Sequence, residues 1–280
     1  MNEYLQKILR ESLHEDLLEA GDLTSKAIFA SNHSTSALIR VKEECVISGV
    51  YLLEPLFNML DSNTEIDPAA TDGARLRAGD AVCRLRGPIQ TILAGERTAL
   101  NFLQRLSGIA SLTARFVEQI KGTRARILDT RKTTPLLRGL EKRAVLHGGG
   151  MNHRFGLYDM ILIKDTHVKA AGGPAAAVAA AKEHRPSANI RIEVEIQSMD
   201  EFHDALTDAP DRIMLDNMSV NQMKTCVETV RHRQLLIELE ASGNVRLDTI
   251  GQIAQTGVDF ISVGALTHSA PAVDIHLVLL

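Results

Sequence analysis

The chain has 280 residues, 45% of them hydrophobic and 24% charged, with a formal net charge of −4. Such a chain is long enough for a full core and two domains; its charge disfavours general nucleic-acid binding, and it has no apolar stretch long enough to span a membrane. Cys45, Cys83 and Cys226 are far apart and lack metal-ligand spacing, which points to reduced thiols in a cytoplasmic protein, and residues 1–7 carry an acid and do not read as a signal peptide.

Leu5, Ile8, Leu9, Leu13 and Leu17 recur at helical spacing and predict a helix over residues 1–20, broken by Gly21-Asp22-Leu23-Thr24-Ser25. Ala37-Leu38-Ile39-Arg40-Val41, Cys45-Val46-Ile47-Ser48 and Ala81-Val82-Cys83-Arg84-Leu85-Arg86 read as strands. Residues 49–60 read as a helix with Pro55 in its first turns. Strands and helices without a βα rhythm predict a separate α+β domain over residues 1–112. Residues 90–121 hold the longest helical pattern, from Ile92 to Ile120, with Ser107-Gly108 as the expected break or kink.

Beyond it, apolar runs end repeatedly on polar or charged residues. They are Ile127-Leu128-Asp129, Ile161-Leu162-Ile163-Lys164, Ile192-Glu193-Val194-Glu195, Ile213-Met214-Leu215-Asp216, Leu236-Ile237-Glu238-Leu239-Glu240 and Phe260-Ile261-Ser262-Val263-Gly264. Spaced roughly 20–35 residues apart, they predict the parallel strands of an α/β barrel over residues 113–280. Six runs fall short of eight, so the barrel is expected to be incomplete, with the extreme C-terminus free to return to the N-terminal domain.

The carboxyl ends of barrel strands share one rim, where chemistry sits. After the first run, Asp129-Thr130-Arg131-Lys132-Thr133-Thr134-Pro135 offers two adjacent cations and hydroxyls, suited to a carboxylate or phosphate. A surface turn with incidental charge would look the same. Gly148-Gly149-Gly150-Met151-Asn152-His153-Arg154 lets the backbone approach a ligand closely, although a glycine run alone more often marks a flexible turn. Lys164 ends a buried run and needs an anionic partner unless it snorkels to solvent. Alternation puts Glu193 and Glu195 on one strand face, and Asp216 ends the next run. Acids from different strands facing one cavity suit magnesium or a developing positive charge, or they simply pair with the cations. Glu240-Ala241-Ser242-Gly243-Asn244 and Ser262-Val263-Gly264-Ala265 follow the last two strands and leave backbone N–H groups for a phosphate, or form two tight turns. His167 and His268 lie near strand ends, and the histidines show no zinc spacing. Basic residues gather between Arg124 and Lys169, as a patch for a small polyanion or in part as a solvated face.

These blocks, in this order, resemble the quinolinate phosphoribosyltransferases, also called carboxylating nicotinate-nucleotide pyrophosphorylases. The likeness rests on Glu15-Asp16-Leu17, Gly21-Asp22-Leu23-Thr24, and Gly95-Glu96-Arg97-Thr98-Ala99-Leu100-Asn101-Phe102 with Leu106-Ser107-Gly108. It continues through the blocks at 129–135 and 148–156, Leu162-Ile163-Lys164-Asp165, Glu193-Val194-Glu195, Met214-Leu215-Asp216-Asn217, Ser242-Gly243-Asn244 and residues 257–267. It implies an N-terminal α/β sandwich domain, an incomplete α/β barrel, and a homodimer or homohexamer. The implied reaction moves phosphoribosyl from phosphoribosyl pyrophosphate to quinolinate with decarboxylation, giving nicotinate mononucleotide, pyrophosphate and CO2 in NAD biosynthesis. By matching position, Arg97 would cross from a neighbouring subunit to a quinolinate pocket lined by Arg131, Lys132, His153, Arg154 and Lys164. Glu195 and Asp216 would face the ribose and magnesium, while Ser242, Gly243, Asn244, Gly264 and Ala265 would hold the 5′-phosphate. Lys132, Glu195 and Asp216 are then the expected catalytic set.

Three positions depart from the family pattern. Leu136 stands where many members have Gly, Arg143 replaces a common aromatic, and Thr166 replaces an Asn often seen before His167. A related branch associated with molybdenum transport tends to lack the lysine at the position of Lys164, so this residue favours the quinolinate enzymes. Two rival readings use the same rim: a Schiff-base aldolase with Lys164 or Lys132 as nucleophile, and a non-catalytic sensor of a phosphorylated ligand.

Overall fold

The computed structural model describes residues 3–280; Met1 and Asn2, which the sequence pattern places in the first helix, lie outside the described residues. The helices are α1 (Glu3–Leu17), α2 (Leu23–Ile28), α3 (Leu53–Leu60), α4 (Ile89–Gln119), α5 (Arg138–His147), α6 (Asp165–Ala171), α7 (Pro174–His184), α8 (Met199–Ala205), α9 (Val220–His232), α10 (Ile250–Ala254) and α11 (Ala265–His268). The strands are β1 (Ser34–Val41), β2 (Cys45–Val46), β3 (Glu65–Pro68), β4 (Arg75–Leu76), β5 (Ala81–Pro88), β6 (Arg126–Leu128), β7 (Ile161–Ile163), β8 (Ile192–Ile196), β9 (Arg212–Asp216), β10 (Glu238–Ser242), β11 (Phe260–Ser262) and β12 (Ile275–Leu279). No described helix is long and apolar enough to cross a membrane.

The chain forms two compact units. One runs to Ala114 and adds Thr133–Gly149 and Leu266–Leu280; the other comprises Arg115–Lys132 and Gly150–Ala265. The C-terminal return matches the expectation for the extreme C-terminus, whereas a boundary after residue 112 misses the return of Thr133–Gly149. The C-terminal return is made by β12, which pairs antiparallel with β1 at the edge of a sheet ordered β12-β1-β5-β3. The other return is fixed by Glu141 of α5, fully buried, which accepts from Arg105 of α4 at 2.9 Å.

Helix α4 runs through Ser107-Gly108 without the expected break. Both residues serve packing instead. Ser107 is buried, and its hydroxyl accepts from the Ser48 N–H at 3.0 Å. Gly108 lets a backbone pass: a Cβ there would lie 2.0 Å from the Pro271 carbonyl oxygen. An interior glycine costs a helix stability, and this close approach accounts for it.

The second unit is a parallel sheet of six strands ordered β6-β11-β10-β9-β8-β7, with β6 and β7 at its ends. Together with its helices this is the open α/β barrel that the apolar runs predict. The strands carry Ile, Leu and Val because both sheet faces are covered, and every residue of β8 is buried. An isolated parallel bridge joins Leu128 to Met151 beyond the β6 edge. That bridge brings His153 and Arg154 alongside the carboxyl end of β6. Short elements such as α6, α8 and α10 were not evident in the sequence pattern, and the fifth run begins late: Leu236 is fully exposed and β10 starts at Glu238.

Candidate active site

The carboxyl ends of the six barrel strands surround a cavity of about 580 Å³. Arg131 and Lys132, on the chain leaving β6, line it with His153 and Arg154 from the bridged segment, and Lys164 lines it just after β7. Glu195 of β8 and Asp216 of β9 bring carboxylates to it, with Glu240 of β10 at its floor. Ser242, Gly243 and Asn244 at the end of β10, with Gly264 after β11, complete the wall. The parallel sheet makes this possible, because each run delivers its terminal polar residue to the same rim. Two sequence-predicted residues lie outside the lining: Ala265, which opens α11, and Arg97, exposed on α4 in the other compact unit.

Like charges are pressed together on one wall. Burial, and then the nearby Arg131 charge, hold the Arg154 guanidinium below its ordinary range. Arg154 Nη1 donates to the Met160 carbonyl at 3.2 Å, which aims it. Lys164 Nζ lies 3.5 Å from Glu195 Oε2, and it is half exposed, so it both finds an anionic partner and reaches solvent. Burial pushes the Glu195 carboxyl up against the pull of Lys164. Asp216 Oδ2 accepts from Asn217 Nδ2 at 2.9 Å.

Opposite, the backbone takes left-handed turns at Asn217 (φ 55), Gly243 (φ 93) and Asn244 (φ 48). Asn tolerates this region and Gly favours it. The Asn217 N–H donates to the Ser242 carbonyl at 2.9 Å, and Asn244 Nδ2 donates to Asn217 Oδ1 at 3.2 Å. A Cβ on Gly243 would sit 2.2 Å from Asn217 Oδ1, so the turn is closed to any larger residue. Successive backbone N–H groups in such turns form anion-binding concavities.

Beneath the cavity lies a charged layer that the sequence reading did not assemble. Glu193 and Glu240 are fully buried, and Arg212 is 6% exposed. Arg212 donates to Glu240 Oε2 from Nη1 at 2.9 Å, and to Glu238 Oε2 from Nε at 3.1 Å and Nη2 at 3.0 Å. His153 Nε2 lies 3.0 Å from Glu193 Oε2 and 3.6 Å from Glu240 Oε2, close polar contacts that are not aligned hydrogen bonds. Burial pushes both glutamates up to about 7, each against the pull of Arg212. Donor atoms of His153, Glu193 and Glu240 lie within 4.8 Å of one another, the reach of a metal site. Arg212 already supplies the positive charge there. Glu193 and Glu195 share a strand face as expected but stand a full pleat apart, about 7 Å in depth, so only Glu195 reaches the cavity.

The other sequence candidates scatter. His167 Nδ1 accepts from the Lys164 N–H at 2.9 Å and so closes the first turn of α6. His268 is exposed outside the cavity lining. The basic residues from Arg124 to Lys169 do not form one patch: Arg124 and Arg126 lie at the amino end of β6, opposite the rim, where Arg124 pairs with Asp259 at 2.7 Å. Arg138, Lys142 and Arg143 belong to the first unit, where Arg143 stacks on the Tyr51 ring at 3.6 Å. Thr130, Asn217, Glu240 and Ser262 also line the cavity; the sequence reading placed each in a rim block without giving it an individual role. Arg212 is the buried charge that it missed, and the available signal was a charged residue opening an apolar strand run.

Comparison with known proteins adds the chemistry of relatives. A family model described as the C-terminal domain of quinolinate phosphoribosyl transferase matches residues 109–278, and its N-terminal counterpart matches residues 22–107. The chain is 41% identical over 279 residues to a Bacillus subtilis (strain 168) protein described as a probable nicotinate-nucleotide pyrophosphorylase (carboxylating), covering 98% of this chain and 92% of that one. It is 39% identical over 290 residues to the chloroplastic nicotinate-nucleotide pyrophosphorylase of Arabidopsis thaliana, covering 98% of this chain and 82% of the other. The solved structure of the nicotinate-nucleotide pyrophosphorylase from Francisella tularensis superposes with a TM-score of 0.92 at 39% identity, covering 100% of this chain and 97% of that one.

Proposed function

Because this chain belongs to the quinolinate phosphoribosyltransferase family, we infer that its reaction takes place in the rim cavity of the barrel unit. The enzyme transfers phosphoribosyl from phosphoribosyl pyrophosphate to quinolinate with decarboxylation, forming nicotinate mononucleotide, pyrophosphate and CO2. One observation carries the placement: Arg131, Lys132, Arg154 and Lys164 share a single cavity with Glu195 and Asp216.

The cations match the two carboxylates of quinolinate, and their grip fixes the pyridine nitrogen in front of ribose C1. Binding also relieves the repulsion between Arg131 and Arg154. As pyrophosphate leaves C1, positive charge grows on the ribose, and Glu195 and Asp216 stabilise it. The pyridine nitrogen then bonds to C1 and becomes cationic. The 2-carboxylate departs as CO2, and the electron pair of the broken C–C bond stays on the ring carbon beside that nitrogen until a proton arrives. The left-handed turns at Asn217, Gly243 and Asn244 supply the 5′-phosphate cradle, with Gly264 across the cavity.

Glu195 and Asp216 are hard oxygen donors on neighbouring strands, a set that fits magnesium. Bound there, the ion would neutralise charge on the departing pyrophosphate. A homodimer is part of the proposal, with the exposed Arg97 of each subunit serving its neighbour's cavity. Three buried free cysteines favour a reducing, cytoplasmic setting.

The test is incubation with quinolinate labelled at its 2-carboxylate, phosphoribosyl pyrophosphate and magnesium. Labelled CO2 and nicotinate mononucleotide should appear in equal amounts. Borohydride-trapped substrate on Lys132 or Lys164, without CO2, would instead support aldolase chemistry.

A further inference from the structure

The charged layer beneath the cavity has no part in the reaction as described, yet buried charges are kept at a cost in desolvation. Its contacts converge on His153. A backbone N–H, that of Arg154, donates to His153 Nδ1 at 2.6 Å, so Nδ1 carries no proton and the ring proton resides on Nε2. Nε2 faces Glu193 and Glu240. The His153 backbone N–H is held in turn by Asp129, itself fully buried, at 2.9 Å. Below, Arg212 anchors Glu240 and Glu238, and the β8–β9 register sets Arg212 directly beside Glu193.

We propose that Glu193, Glu240 and Arg212 are positioning residues for the dicarboxylate half of the site, holding His153 in one tautomer and, through its Nδ1, the backbone of Arg154. The guanidinium of Arg154 is aimed from that backbone. Loss of the layer therefore loosens the grip on quinolinate and leaves the phosphate cradle at Asn217, Gly243 and Asn244 untouched. The proposal rests on the assignment of Arg154 and its neighbours to quinolinate.

Steady-state kinetics of Glu193→Leu and Glu193→Gln test it. The leucine variant should raise KM for quinolinate about ten-fold or more while KM for phosphoribosyl pyrophosphate stays within about two-fold. Glutamine keeps the shape of the side chain and a polar carbonyl facing Nε2–H, and should restore KM for quinolinate to within about three-fold of wild type. Two KM values rising together, an unchanged KM for quinolinate, or a glutamine variant no better than leucine would each overturn the proposal. A second measurement needs no turnover and reads the wild-type protein. Nitrogen-15 NMR of histidine-labelled wild-type protein, with His153 assigned by a His153→Asn variant, should show Nε2 protonated and Nδ1 bare. The opposite tautomer, or an equal mixture, would sink the proposal even in an active enzyme. That tautomer in a protein unable to release CO2 from quinolinate would instead count against the assigned site.

Discussion

Arg131 and Leu136 both lie between β6 and α5, and substitution should move them in opposite directions. Arg131 is exposed on the rim and lines the cavity beside Arg154. Truncating a charge that grips a buried anion costs roughly 2–5 kcal/mol, so Arg131→Ala should lower kcat/KM for quinolinate about 100-fold or more while the protein stays folded. Steady-state assays with circular dichroism as the folding control check this. Leu136, the first departure from the family pattern, takes φ 65, a conformation that favours Gly. A branched side chain in the left-handed region is strained by about 1 kcal/mol, and Leu136 is 77% exposed, so no packing offsets the strain. Leu136→Gly should therefore raise the denaturation midpoint by an amount worth about 1 kcal/mol. The second departure, Arg143, keeps contact with an aromatic by stacking on Tyr51. Exposed Thr166 in the first turn of α6 has no structural explanation.

Among the elements, α4 is the spine of the first unit. Its passage past the C-terminal segment depends on Gly108, whose missing side chain admits the Pro271 carbonyl. Gly108→Ala forces backbone apart and should destabilise the protein by about 1–3 kcal/mol, read as a lower midpoint in urea. Unchanged stability would show that the segment yields without cost. The sequence pattern mistook this glycine for a helix breaker because propensity is local and the approach of Pro271 is not. The same division runs through the whole fold. Lys164 and Asp216 could be nominated because each ends an apolar run, and a parallel barrel sends all such ends to one rim. Arg212, Glu193 and Glu240 could not be joined, since their contacts arise from strand register and link residues on three different strands. Strand β12 escaped notice because Ile275–Leu279 acquires its meaning only beside β1. Helices as short as α6 and α8 span too few turns to show a period.

For the whole molecule, the proposed dimer makes a counting prediction. If Arg97 serves the neighbouring subunit, Arg97→Ala and Arg131→Ala damage different halves of one composite site. Each variant alone should be nearly inactive. An equal mixture allowed to exchange subunits should recover about a quarter of wild-type activity, because half the dimers then hold one intact site of two. Exchange without recovery would place both arginines in the same subunit's site. The interior of the barrel unit carries a further consequence. Glu238, Arg212, Glu240, His153 and Glu193 are linked in one chain of polar contacts. Swapping a single member for a greasy residue strands its neighbours, so gradual drift toward an ordinary oily interior is blocked at its first step. Descendants of this chain should keep the set entire or discard it wholesale, and engineers repacking the barrel face the same all-or-nothing choice.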